Sequence, residues 1–144
     1  MFSKACQYAI RATLFISQKS LQGERVGLKK IAEEIDSPEA FTAKILQQLA
    51  RNSIIESVKG PSGGFEILDK NLDKIKLISI VEAIDGNQIF DGCGLGLKQC
   101  NSAKPCPVHD KFKSIRENLK HMLSTTNIRE LATDLSIGNV FLKA

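Results

Sequence analysis

The order of elements between residues 28 and 68 restricts the fold more than any other feature of this 144-residue chain. Leu28, Ile31, Ala32 and Ile35 recur at three- and four-residue steps and predict a short helix with one apolar face. Ser37-Pro38-Glu39 follows: a serine able to cap, a proline suited to the first helical position, and an acid in the first turn. That signal opens a second helix reaching about Asn52. Phe41, Ile45, Leu46 and Leu49 face inward, while Glu39, Thr42, Ala43, Gln47, Gln48 and Arg51 face outward, with Lys44 nearby. A β-rich run at 54–58, the turn KGPSGG at 59–64 and a second run at 65–68 predict a hairpin. Two helices across a tight turn form a helix-turn-helix, and a hairpin directly after them is the wing of a winged helix.

The other elements are helical, which makes the fold class mainly α. Residues 3–20 read as a helix capped by Ser3, with Ala5, Ala9, Ala12 and Ile16 on one face and Tyr8 and Phe15 beside them. Cys6, in its first turn, reads as a small buried hydrophobe. LISIVEAID (77–85) is a further helix, stopped by Gly86. From Asp110 to about Leu123 the stripe Phe112, Ile115, Leu119 and Met122 predicts a long C-terminal helix. A single narrow stripe so far from the head points to dimerisation with a twin chain; packing on its own domain is the alternative. A last short helix opens near Thr126 or Asn127. The expected organisation is a winged helix-turn-helix over 1–86, a cysteine-rich loop over 87–109, and a dimerisation helix with tail over 110–144.

That loop, CGLGLKQCNSAKPCPVH (93–109), has no helical or strand periodicity. Cys93, Cys100 and Cys106 are separated by six and five residues, and His109 follows after two. Soft ligands in a segment that cannot order itself by apolar burial are suited to an inorganic centre, which then supplies the order. Three Cys and one His would satisfy a tetrahedral zinc, although zinc sites usually contain a tight C-x₂-C pair. An iron–sulfur cluster, zinc and metal-free thiol sensing all stay open on the residues alone. His121 has no partner at ligand spacing and reads as a surface side chain.

Composition narrows the partners. A hydrophobic fraction of 42% argues for a folded core, and a net charge of +4 suits a polyanion without demanding one. No apolar run approaches the roughly 18 residues of a membrane span and no leader pattern is evident, so a cytoplasmic protein without membrane contact is expected. In that compartment clustered cysteines bind metal or do redox work more often than they form disulfides. The chain has no phosphate loop and no nucleotide fingerprint, and an enzyme is not expected. Thr, Gln and Lys side chains can bond base edges or phosphates, which makes Thr42, Lys44, Gln47 and Gln48 candidates for the groove of double-stranded DNA. Lys59, Ser62 and Gly63 are candidates on the wing, with Lys4 or Arg11 on the flanking backbone.

Taken together, the chain resembles the IscR/NsrR family of bacterial regulators, the Rrf-type group. The likeness rests on YAIRA (8–12), IAEEI (31–35), the run from Phe41 to Leu49, VKGPSGGF (58–65) and VEAIDG (81–86), then the cysteine loop and long helix in the family's order. It implies a homodimer, crossed by the long helix, acting as a repressor on a pseudo-palindromic operator. It implies an iron–sulfur cluster as sensor of redox poise, nitric oxide or iron–sulfur status, 2Fe-2S in first place and 4Fe-4S as the alternative. The family's three ligand cysteines map to Cys93, Cys100 and Cys106, and the histidine used in one branch maps to His109. Gln7 stands where other branches use a carboxylate, and Ser53 where a glycine is usual. The first cysteine interval is six where some members have five. A cluster-free or zinc-bound dimeric repressor, sensing through thiols or a small molecule, is the alternative reading.

Overall fold

Ser3 starts the first helix as the spacing predicts. In a computed structural model, which describes residues 1–143, its side chain accepts from the Cys6 backbone N–H and α1 runs Lys4–Leu21. Then come α2 (Leu28–Ile35), α3 (Glu39–Arg51), β1 (Glu56–Val58), β2 (Gly64–Glu66) and the single turn α4 (Asp69–Leu72). After these, α5 is Leu77–Asp85, α6 is Gln88–Asp91, α7 is His109–Thr125 and α8 is Ile128–Ile137. The short turns α4 and α6 lack enough apolar periodicity to be legible beforehand.

The turn between α2 and α3 differs from expectation. α2 ends with Asp36 in the left-handed region (φ 52°), and the Ser37 N–H returns to Ala32 O at 3.0 Å. Pro38, not Ser37, occupies the cap position of α3, and its carbonyl accepts from the Thr42 N–H. The Ser37 hydroxyl is buried and has no hydrogen-bond partner among the described residues. The tight turn has pulled the serine beneath the chain, away from the helix start it was expected to cap.

The hairpin is shorter than the β-rich runs. Glu56 pairs with Glu66, Ser57 with Phe65 and Val58 with Gly64. Ile54 and Ile55 lie buried in the core before the strand begins. Phe65 also makes an antiparallel bridge to Val26, exchanging hydrogen bonds at 2.7 and 3.1 Å. Gly64 permits this: it has φ 138°, and a Cβ there would lie 2.7 Å from Val26 O.

One apolar cluster joins the elements. Ala9, Ala12 and Ile16 of α1 pack with Ile31 and Ile35 of α2, Leu46 and Leu49 of α3, and Ile80 and Val81 of α5. Leu123 of α7 and Ile128 of α8 belong to the same cluster, and α8 lies along α1. Backbone bonds Leu77 N→Thr126 O and Ile128 N→Ile75 O, both 3.1 Å, lock the start of α5 to the start of α8. No described helix is long and apolar enough to cross a membrane.

Candidate functional site

On α3 the exposed residues include Lys44, Gln47 and Arg51, while Ile45, Leu46 and Leu49 face the core. Two of the expected groove residues are placed otherwise. Thr42 is fully buried and its hydroxyl donates to Pro38 O at 2.9 Å, so the first turn of α3 consumes it. Gln48 is half-buried and its Nε2 donates to Ala83 O at 2.9 Å, which ties α3 to α5. Helical periodicity placed both outward; the packing of α5 and the tight turn moved them to the inner edge.

On the wing, Lys59 and Ser62 are exposed. The Gly63 N–H donates to Gly60 O at 2.9 Å, so this amide shapes the turn and is not free for a phosphate. Arg25, which no sequence pattern singled out, anchors the wing. Its Nε donates to Glu66 Oε2 at 3.0 Å and its Nη1 to Ser62 O at 3.4 Å. On α1, the Lys4 ammonium lies 5.3 Å and the Arg11 guanidinium 4.8 Å from the Tyr8 ring centroid, and that ring meets Phe41 of α3 edge to face. The two cations therefore share a face of α1 next to the α3 head.

In the loop after α6, all three cysteines are partly exposed, whereas Cys6 is buried on α1 as expected. His109 is buried at the first position of α7, and its Nδ1 faces Cys100 Sγ at 3.4 Å. Arg116 Nη2 donates to the same sulfur at 3.1 Å. Cys93 Sγ accepts from the Leu95 N–H at 3.4 Å. That bond and then the Leu97 N–H hold the Cys93 thiol below its ordinary range, against an opposing cost of burial that outranks the weaker help of Cys106 and the Gly96 N–H. Cys100 is thus brought to His109. Among the described residues no three His, Cys, Asp or Glu side chains converge closely enough to hold a metal ion. The donor set nevertheless fits a soft metal centre: partly exposed thiols, one of them lowered in pKa by backbone N–H groups, on a segment with no helix or strand of its own. A cavity of about 630 Å³ lined by Cys93, Leu97, Cys100 and Asn101 lies between the first two cysteines.

Gln7 is exposed, and its Nε2 donates to Phe2 O. His121 is on the surface, as expected. Along α7 the apolar stripe is only partly covered: Phe112 is 37%, Ile115 61% and Met122 45% exposed, with Leu119 half-buried against the core.

The family model described as Rrf2, iron-dependent transcriptional regulator, matches residues 2–134. A relative from Aquifex aeolicus (strain VF5), of the HTH-type transcriptional regulator class, is 31% identical over 134 residues, covering 91% of this chain and 90% of that one. The HTH-type transcriptional regulator IscR of Pectobacterium atrosepticum is 25% identical over 134 residues, covering 93% of this chain and 80% of that one. Among solved structures, CymR, the global cysteine regulator of B. subtilis, superposes with a TM-score of 0.73 at 19% identity, covering 92% and 96% of the two chains. IscR of T. potens also superposes with a TM-score of 0.73 at 19% identity, over 97% and 91%. These relatives are regulators of transcription, not enzymes. With α3, the hairpin and the cysteine loop all inside the matched span, the chain belongs to the Rrf2 family of transcriptional regulators, on its IscR-like side.

Proposed function

We propose that this regulator binds a pseudo-palindromic operator as a homodimer, and that an iron–sulfur cluster held by Cys93, Cys100, Cys106 and His109 sets its affinity. The observation that carries the reading is His109: it opens α7 and faces the sulfur of Cys100, so the last ligand of the set is also the first residue of the long helix. The partly exposed stripe Phe112, Ile115, Met122 supports α7 as the pairing surface. When bound, the cluster supplies a redox- and nitric oxide-sensitive charge centre and ties distant loop residues together. Everything else is done by the chain. Cys93 and Cys106 fasten the loop ends, Cys100 and His109 fasten its middle to α7, and α7 rests on α5, to which Gln48 binds α3. Release of the loop frees the start of α7 and alters the spacing of the two α3 helices. Half-sites about 34 Å apart accept little such change. Lys44 and Gln47 enter the groove, Lys59 and Ser62 meet the adjacent backbone, and Lys4 and Arg11 hold the flank. Repression by occlusion of a promoter is the expected output.

A second reading has its own support. All three loop cysteines are free and partly exposed, and a structure of the oxidised form of CymR from Staphylococcus aureus superposes with a TM-score of 0.71. On that reading the loop senses through thiol oxidation alone. Anaerobic purification with iron and sulfide analysis, followed by operator binding of the loaded and unloaded protein, separates the two. Iron and sulfide in the wild type, lost in the Cys93→Ala, Cys100→Ala and Cys106→Ala variants together with the affinity change, is the expected result. Material that stays colourless after reconstitution, yet changes affinity on oxidation, favours the thiol reading.

A further inference from the structure

Arg116 has no role in the reading above, yet its guanidinium donates directly to a cysteine sulfur of the loop. It lies seven residues after His109, two helical turns on, so the two side chains rise from the same face of α7. Both reach Cys100 Sγ, His109 at 3.4 Å and Arg116 at 3.1 Å. The other terminal nitrogen of Arg116 donates to Gly92 O, immediately before Cys93. One planar fork thus grips both ends of the segment from Gly92 to Cys100.

Two further observations show that the fork is committed to the loop. Arg116 Nε is buried with no hydrogen-bond partner, and Arg116 takes part in none of the ion pairs among the described residues. A partly buried guanidinium ordinarily finds a carboxylate. Asp91 and Glu117 line the same cavity of about 420 Å³ without reaching ion-pair distance, and the sulfur of Cys100 takes that place. The segment also touches α7 at Gly94, where an added Cβ would fall 2.5 Å from the ring of Phe112.

We infer that Arg116 is a positioning residue that straps the 92–100 segment to α7, so that any change at the Cys100 sulfur is delivered to the helix through its guanidinium. The sensing role of this strap rests on the cluster reading above; the strap itself does not. Arginine suits the position because its two terminal nitrogens, held apart in one plane, reach two separated acceptors, whereas the three donors of a lysine ammonium all radiate from a single nitrogen.

The decisive experiment is hydrogen–deuterium exchange on the full-length, cluster-free protein. Arg116→Ala should speed exchange of amides in 93–100 by about tenfold, the scale expected when charge-assisted bonds holding a local segment are removed, with α1 and α3 unchanged. Arg116→Lys should give an intermediate rate. Should Arg116→Ala not fold, Arg116→Gln serves the same comparison. Exchange in 93–100 identical to wild type in either neutral variant overturns the strap. In anaerobically reconstituted protein, Arg116→Ala should keep its iron and sulfide but lose most of the difference in operator affinity between loaded and unloaded forms. It should also shift the reduction potential downward, because a cationic donor to a ligand sulfur has been removed. An unchanged affinity difference overturns the delivery role. A wild type that takes up no iron refutes the cluster reading instead, and leaves the exchange result to decide the strap.

Discussion

The carboxylate of Asp85, the last residue of α5, receives the Ser3 backbone N–H at 2.9 Å on one oxygen and the Ser3 hydroxyl on the other. Ser3 in turn caps α1 by accepting from the Cys6 N–H at 3.0 Å. Residues 82 apart in sequence therefore form one junction, in which the end of one helix orients the cap of another. Replacing Asp85 with Ala should lower stability by about 1–2 kcal/mol, the combined scale of a cap and a charge-assisted bond. Urea unfolding should show the lower midpoint with an unchanged slope; an unchanged midpoint would show that the junction contributes nothing.

Cys6 sits under this junction. Burial first, then the charge of Asp85 and a hydrogen bond to it, push its thiol from an ordinary value of 9.0 up to about 12. The folded chain therefore keeps a proton that the unfolded chain gives up. The resulting stabilisation is complete below pH 9 and is lost progressively as pH rises from about 9 towards about 12. The difference in stability between wild type and Cys6→Ala, measured by urea from pH 7 to pH 11, should shrink only above pH 9. In native protein, iodoacetamide should label Cys93, Cys100 and Cys106 while sparing Cys6.

Ser53 has φ 59°, in the left-handed region that costs a side chain with a Cβ about 1 kcal/mol or more. It ends the turn after α3, with its N–H on Ala50 O. Ser53→Gly should raise stability by about 0.5–1 kcal/mol, since the relieved strain exceeds the added freedom of the unfolded chain. A thermal midpoint that falls would place the strain elsewhere.

Operator titrations over a range of salt should separate the exposed residues of the head from the buried ones. Lys44→Ala and Lys59→Ala should each weaken binding and lower the salt slope by about one unit for each phosphate no longer neutralised. Thr42→Val, which removes a hydroxyl already bonded to Pro38, should leave the slope unchanged and cost about 1 kcal/mol of stability. A slope change in Thr42→Val would return that residue to the interface.

Most of the helices could be read from spacing alone, and the reasons are physical. Ser3, Gly86 and Asn127 mark helix ends by chemistry local to a few residues, and α1, α5 and α8 begin or end where those residues stand. The inner edge of α3 was not legible, because Thr42 and Gln48 are placed by partners elsewhere: a turn carbonyl and the last turn of α5. Ser37 looked like a cap because the pattern was right, and the left-handed residue before it undid the geometry. In the loop, residue types announced the thiols and the imidazole. Arg116 stayed hidden in a run of basic residues, although its seven-residue step from His109 placed both on one face.

The ring of Phe112 has two neighbours to satisfy. One side supports the backbone at Gly94, and the remaining 37% of the residue's surface opens outward with Ile115 and Met122. A flat aromatic plate shared in this way cannot tilt for one neighbour without disturbing the other. A second protomer settling on α7 would clamp the plate, and with it the floor beneath the cysteines. Loop rigidity should then climb with protein concentration, even with no metal present.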